Sequence, residues 1–164
     1  MGGCYLDISV PIGNGIFNFR AGVILIDKGR VLLHKKENDN FWALPGGRVS
    51  MFESSSETAV RELKEEIGVD VIVERLLWHT ENFFPFEDRR FHEIADYYLA
   101  RLQDSQEIYL GDGVFNGVEG HEVLIYRGFP IVELPEIELY PEFLREGLGE
   151  LPEHPEFNTI RQDD

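Results

Sequence analysis

A glutamate-rich stretch, residues 47–69, constrains the fold of this 164-residue chain more than any other feature. At about 100° per residue, a helix over its second half has an apolar side formed by Val60, Leu63 and Ile67. Three carboxylates share the opposite side of that helix: Glu62, Glu65 and Glu66. Like charges spaced i,i+4 disfavour an isolated helix by a few tenths of a kcal/mol. We therefore expect the acidic side to be retained for a function, with a cation bound to it.

The sequence also predicts where this helix begins and ends. Ser54 and Glu57 have the spacing of a capping box, and Gly68 suits the left-handed residue that follows a helix. The preceding segment, residues 44–47, contains Pro45 and two glycines, which predict a tight turn beside the carboxylates. Carbonyl oxygens in such a turn, together with carboxylates, are ligands that suit Mg²⁺ or Mn²⁺ better than zinc. The pattern therefore predicts a divalent cation site.

Residues 47–69 resemble a known family signature. The Nudix box has its defining residues at positions matched here by Gly47, Glu53, Arg61, Glu62, Leu63, Glu65, Glu66 and Ile67. None of these positions departs from the pattern, and the chain is similar to the Nudix (MutT-like) hydrolases over roughly residues 17–148. The resemblance implies an α/β fold, an α/β/α sandwich around a mixed β-sheet. It also implies one domain over residues 1–164, with residues 1–16 and 153–164 at its periphery.

The resemblance implies roles for individual residues as well. Glu62, Glu65 and Glu66 would bind Mg²⁺ or Mn²⁺ together with the carbonyl of Gly46. Arg61, with Glu53, would orient these glutamates, so that the residues expected to act in catalysis are Arg61, Glu62, Glu65 and Glu66. Glu119 or Glu122, from a later loop, is the candidate for a further ligand or a base. Glu65 and Glu66 are the candidates for the general base within the box.

The implied reaction is hydrolysis of the pyrophosphate linkage in a nucleoside diphosphate linked to another group. Because pyrophosphate repels an incoming nucleophile, bound metals are needed to neutralise its charge and to acidify water. Residues expected to contact substrate are Arg20, Arg48, Phe84 and Pro85. ADP-ribose hydrolases of the family often have a proline beyond the box, at the distance at which Pro85 follows Val69. This favours ADP-ribose or a nucleotide sugar.

Two alternatives stay open at this point. The first is a MutT-like enzyme that hydrolyses nucleoside triphosphates. The second is a non-catalytic module that senses a nucleotide without cleaving it. Glu81 and Glu93 could approach the metal site or could be ordinary strand residues, and Phe83 and Phe84 could belong to the core or to a stacking surface for a base.

Composition limits the partners. The net charge is −16, and residues 104–164 contain 15 acidic and 3 basic side chains. Such a surface repels nucleic acid, so a small nucleotide is expected instead.

The sequence contains no long apolar run of the kind that predicts a membrane span. Cys4 is the only cysteine, which excludes an internal disulfide, and we expect a cytoplasmic protein. The sequence does not fix the oligomeric state, and a homodimer is kept open.

Residue patterns predict the remaining elements. β-branched and aromatic residues predict five strands, at residues 17–26, 31–34, 69–79, 91–102 and 122–126. A loop is expected at residues 81–90 and a short helix at residues 141–149. Residues 153–164 are expected to form a mobile tail.

Overall fold

The protein is described by a computed structural model over residues 5–104 and 107–162. Cys4 lies outside these residues. The strands are β1 (Ser9–Ile12), β2 (Gly15–Asp27), β3 (Arg30–Lys36), β4 (Gly46–Arg48), β5 (Val71–Phe86), β6 (Arg89–Leu102), β7 (Phe115–Glu119), β8 (Glu122–Pro130) and β9 (Glu156–Arg161). The helices are α1 (Ser55–Ile67), a 3-10 helix (Ile131–Glu136) and α2 (Leu144–Gly147).

The strands form a mixed sheet in the order β7-β8-β3-β2-β6-β5-β9, and β1 and β4 also pair with β2. The β2–β6 and β5–β9 pairs are parallel, while the other pairs are antiparallel. Within the described chain, β2 and β3 pair at their turn, at Ile26↔Val31 and Asp27↔Arg30. Beyond this point β2 pairs with β4, and β3 pairs with β8. The sheet therefore divides next to β2.

A short segment bridges the two halves of the divided sheet. Ala43 exchanges backbone hydrogen bonds with His34 of β3, and the carbonyl of Pro45 accepts from the amide of Val23 in β2. Gly46 then lies so close to β2 that a Cβ there would come within 2.0 Å of the Ala21 carbonyl oxygen. A glycine is needed at this position for the segment to enter β4.

Two apolar cores lie on opposite faces of the sheet, which confirms the predicted α/β sandwich. On one face, Ala59 and Leu63 of α1 pack with residues of β2 and β8 such as Val23 and Tyr126. The other face is covered by Leu134 of the 3-10 helix and by Leu144 of α2. In the part of the chain described here, α1 is the longest helix, and no helix has the length and apolarity needed to cross a lipid bilayer.

The predicted helix boundaries are confirmed in α1. The Ser54 hydroxyl accepts a hydrogen bond from the Glu57 amide, and the Glu57 carboxylate accepts one from the Ser54 amide. Gly68 ends the helix in the left-handed conformation, with φ of 74°. Both terminal turns are therefore satisfied by local sequence.

The prediction of a loop at residues 81–90 is wrong. Strands β5 and β6 form one long hairpin, paired from Val71↔Leu102 to Phe86↔Arg89. The turn is confined to Glu87 and Asp88, and Glu87 has a positive φ of 53°. Proline and charged residues at positions 81–90 favour a loop locally, but cross-strand pairing overrides this preference.

Three other predictions need correction. The predicted mobile tail contains β9, which pairs in parallel with β5 at the edge of the sheet. The helix expected at residues 141–149 is limited to the single turn of α2. The predicted glycine turn is in part the strand β4, because Gly46 and Gly47 pair with β2.

Removal of the N-terminal cap tests the account of α1. We expect Ser54→Ala to lower the free energy of unfolding by about 1 kcal/mol, since the first-turn amide loses its acceptor. Urea denaturation measures this change. Ser54→Asp is the matched control, because aspartate also supplies an acceptor at the cap, and an equal loss in both variants would contradict the capping role.

Candidate active site

The acidic residues of α1 do not all face solvent, and this corrects the predicted division of the helix into an apolar and a charged side. Glu62 and Glu66 are buried beside Ala59 and Leu63, whereas Glu65 remains about half exposed. The buried side of the helix is centred between the two predicted sides. Two carboxylates therefore lie between α1 and the sheet.

Arg61 links three glutamates around the start of the helix. Its Nε and Nη2 donate to the two oxygens of Glu53 at 2.8 and 2.9 Å. Its Nη1 donates to Glu62 at 2.8 Å and to Glu65 at 3.1 Å. The hydrogen bond from Arg61 holds the pKa of Glu53 below its ordinary value. Arg61 therefore pairs with Glu53 and also contacts two helix glutamates, while its role in orienting them stays a prediction.

Glu62 lies directly against β4. A Cβ on Gly47 would come within 2.2 Å of the Glu62 carboxyl carbon, so glycine at position 47 makes room for this side chain. Burial raises the pKa of Glu62, while the charge of Arg61 acts in the opposite direction. This gives a physical reason for the glycine that begins the box.

Glu66 is the most strongly perturbed carboxylate of the helix. Its Oε2 accepts a short hydrogen bond from the Tyr126 hydroxyl of β8, while its Oε1 is buried with no hydrogen-bond partner among the residues that the structure describes. Burial, with a further contribution from the charge of Glu62, raises the pKa of Glu66 to about 8. A buried carboxylate beside a second one is stabilised in its ionised form by a bound cation.

The glutamates fit a divalent cation by their chemistry. Hard carboxylate oxygens suit Mg²⁺ or Mn²⁺, and the unpartnered Oε1 of Glu66 is an available donor atom. In residues 5–104 and 107–162, no three acidic, histidine or cysteine side chains converge as a complete metal cluster. Glu65 is turned towards Arg61, so it would have to exchange this contact to become a ligand. The ligand role of the Gly46 carbonyl stays a prediction.

A cleft of about 600 Å³ brings together all four residues predicted to contact substrate: Arg20, Arg48, Phe84 and Pro85. Arg20 is anchored by donation to the Leu44 carbonyl at 3.2 Å. Its positive charge opposes the rise that burial causes in the pKa of Glu62 and Glu66, so Arg20 lies within electrostatic reach of the helix carboxylates. Phe83, by contrast, lies between His92 and Arg161, outside the residues that line this cleft.

The two candidate acids of the later loop differ in their surroundings. Glu119 and Glu122 both line the cleft and face each other across the β7–β8 turn. Glu122 is paired with Lys36 at 2.9 Å. Glu119 is close enough to Glu66 for its charge to raise the pKa of that residue. Glu119 is therefore the stronger candidate of the two, and its role as a further ligand or base stays a prediction.

Some residues of the site were not anticipated. Tyr126 was assigned to a strand, but no sequence pattern linked it to Glu66. Asn18 could have been found, because alternation along β2 places it on the same face as Arg20. Of the two strand glutamates whose role the sequence leaves open, Glu93 is buried in the cleft, where its Oε2 accepts from Asn18 Nδ2 at 2.7 Å. Glu81 instead contacts His92, at 3.1 Å.

Comparison with known proteins identifies the family. The NUDIX domain model matches residues 17–146, so the chain belongs to the NUDIX family. A provisionally named mutator protein MutT4 of Mycobacterium tuberculosis is 33% identical over 94 residues, covering 57% of this chain and 34% of that protein. An RNA pyrophosphohydrolase of Campylobacter jejuni subsp. doylei is 32% identical over 85 residues, covering 45% of this chain and 52% of the relative.

A solved structure agrees with the fold. The crystal structure of an ADP-ribose pyrophosphatase from Streptococcus suis is similar with a TM-score of 0.57 and 21% identity, covering 87% of this chain and 98% of that one. This likeness confirms the fold. The chain spans about a third to a half of the length of the curated relatives described above.

The raised pKa of Glu66 predicts how the stability of the metal-free protein changes with pH. Unfolded glutamate releases its proton near its ordinary pKa, whereas folded Glu66 keeps it up to about pH 8. The folded state therefore loses stability from this residue as pH rises between these values. The Glu66→Gln side chain cannot ionise, so the variant escapes this loss. We expect its free energy of unfolding, relative to that of the unsubstituted protein, to be on the order of 1–3 kcal/mol higher at pH 8 than at pH 5.

Urea denaturation at the two pH values, with a chelator present, measures this difference. Glu74→Gln is the control, since Glu74 is a partly exposed glutamate that pairs with Arg101 on the surface. A pH-independent difference between Glu66→Gln and the unsubstituted protein would contradict the burial of a protonated Glu66.

Proposed function

We propose that the protein hydrolyses the pyrophosphate linkage of a nucleoside diphosphate linked to another group, with Mg²⁺ or Mn²⁺ as cofactor. The observation that carries this proposal is the pair of buried carboxylates, Glu62 and Glu66, within electrostatic reach of Arg20 in the cleft. Membership in the NUDIX family supports it. Glu65 joins the two buried glutamates as the third proposed metal ligand.

The residues of the chain divide the work of this reaction. Arg20 and Arg48 bind the phosphates of the substrate in the cleft. Arg61 and Glu53 hold Glu62 and Glu65 in place through charge-assisted hydrogen bonds. When bound, the divalent cation neutralises phosphate charge and acidifies water. Glu65 and Glu66 both remain candidates for the general base, and Glu119 is a further candidate.

A small nucleotide sugar such as ADP-ribose is the substrate we favour. The cleft of about 600 Å³ has the size of a small-molecule site. Phe84 and Pro85 line one end of it and are available to contact a base. The acidic surface of residues 104–164 disfavours a long nucleic acid, although an RNA pyrophosphohydrolase is among the relatives. The cytoplasmic location and the homodimer stay predictions.

One observation favours a second candidate, a nucleotide sensor that does not cleave its ligand. Arg61 already donates hydrogen bonds to Glu62 and Glu65, and Tyr126 already donates one to Glu66. These contacts partly satisfy the carboxylates without metal. A sensor, however, gains nothing from the unpartnered Oε1 of Glu66, so we prefer the enzyme. Hydrolysis of nucleoside triphosphates is a third possibility for the same site, and it would use the same carboxylates.

A turnover screen tests the proposal. The purified protein is incubated with Mg²⁺ or Mn²⁺ and ADP-ribose, nucleotide sugars, nucleoside triphosphates or dinucleoside polyphosphates, and released phosphate compounds are measured. We expect metal-dependent cleavage of a nucleotide sugar, and at least about 100-fold slower cleavage by Glu66→Gln. Glu74→Gln is the control and should retain activity.

Binding experiments separate the two candidates. Tight nucleotide binding by calorimetry, without turnover of any substrate in the presence of either metal, would contradict the enzymatic proposal and favour the sensor. Equal turnover in Glu66→Gln and the unsubstituted protein would contradict the role of the helix carboxylates.

A further inference from the structure

The floor of the cleft presents three kinds of side chain in a fixed order. At one end, Phe84 of β5 and Phe91 of β6 are register partners whose rings stack at 5.2 Å with an interplanar angle of 7°. A row of three polar register partners lies two residues further along the strands. One comes from each of β2, β6 and β5: Asn18, Glu93 and Asn82. Two residues further along β2 is Arg20. All six residues line the cleft.

The spacing of this order follows from strand geometry. Residues two apart on a strand share a face and are separated by about 7 Å. The stacked rings, the polar row and the arginine are thus spread over about 14 Å. A nucleotide has its own parts in a matching order: an aromatic base, a sugar with hydroxyl groups, and anionic phosphates.

The polar row has hydrogen-bonding capacity that the protein leaves unused. Asn18, Asn82 and Glu93 are 5%, 4% and 8% exposed. One hydrogen bond joins Asn18 to Glu93, but within residues 5–104 and 107–162 the side-chain oxygens of both asparagines have no hydrogen-bond partner. Buried polar atoms without partners are unfavourable for folding, so stability does not account for this row. A role in binding a ligand would account for it.

We propose that Glu93, with Asn18 and Asn82, binds the ribose hydroxyls of a nucleotide whose base lies on the Phe84–Phe91 pair and whose phosphates lie at Arg20. Carboxylates accept hydrogen bonds from ribose hydroxyls in other nucleotide sites. Stacking on aromatic rings tolerates different bases. The site therefore selects ribonucleotides over 2′-deoxyribonucleotides and discriminates weakly among bases. This inference rests on the proposed function in taking a nucleotide as the ligand of the cleft.

The charges of the cleft are consistent with Glu93 binding an uncharged hydrogen-bond donor of the ligand. Arg20 and Arg48 line the same cleft and supply positive charge near this carboxylate. A cationic ligand group is therefore not required to balance Glu93. Hydroxyl groups donate hydrogen bonds without adding charge, which fits the middle of a site whose far end binds phosphate.

Binding of nucleoside monophosphates tests this inference without relying on turnover. Calorimetry compares AMP with 2′-deoxy-AMP, and GMP with 2′-deoxy-GMP. We expect each ribonucleotide to bind at least about 10-fold more tightly than its deoxy partner, because a missing hydroxyl leaves buried polar groups unpaired. In Glu93→Gln and in Asn82→Leu this ratio should fall towards one. Glu74→Gln is the matched control and should keep the full ratio.

Thermal unfolding of each variant shows whether it is folded, and two variants guard against the failure of one. Equal binding of ribo and deoxy partners, absence of binding by either ribonucleotide, or an unchanged ratio in both cleft variants would overturn the inference. Selective ribonucleotide binding without any hydrolysis would leave it intact while contradicting the proposed function. Hydrolysis of ribo and 2′-deoxyribo substrates at equal rates would support the proposed function and contradict this inference.

Discussion

The burial of two carboxylates between a helix and a sheet is the constraint on which the rest of the site depends. Glu62 and Glu66 are placed there by the helical repeat of α1, and each needs a specific neighbour. Glu62 fits because Gly47 has no side chain, and Glu66 fits because Tyr126 donates a hydrogen bond to it. Burial raises the pKa of both residues. Burial thus disfavours the ionised form of both residues, and a bound cation would supply the stabilisation of negative charge that solvent cannot.

The division of the sheet next to β2 places this charge beside a ligand site. Because β2 and β3 separate after their turn, the segment from Ala43 to β4 can lie between them. The same separation leaves Arg20 in electrostatic contact with Glu62 and Glu66 while it lines the cleft. Helix α1 covers one face of the sheet, and the cleft provides the surface for substrate. Fold and site are therefore consequences of one arrangement of β2.

Local sequence determined some of these features and not others. The capping box and Gly68 fixed the ends of α1, because capping depends on residues within a few positions. The box motif identified Arg61 and Glu53 as a pair. The extent of the β5–β6 hairpin and the strand β9 could not be predicted, since both depend on pairing between distant residues. The same reason explains why Tyr126 was missed, as its contact with Glu66 spans 60 residues.

The central claim is that the buried glutamates of α1 hold a divalent cation. Crystals of the protein grown with Mn²⁺, measured at a wavelength where manganese scatters anomalously, test it most directly. We expect an anomalous peak within coordination distance of the carboxylate oxygens of Glu62 and Glu66. Manganese bound elsewhere while Arg61 and Tyr126 keep their contacts with these two residues, or no bound manganese, would contradict it.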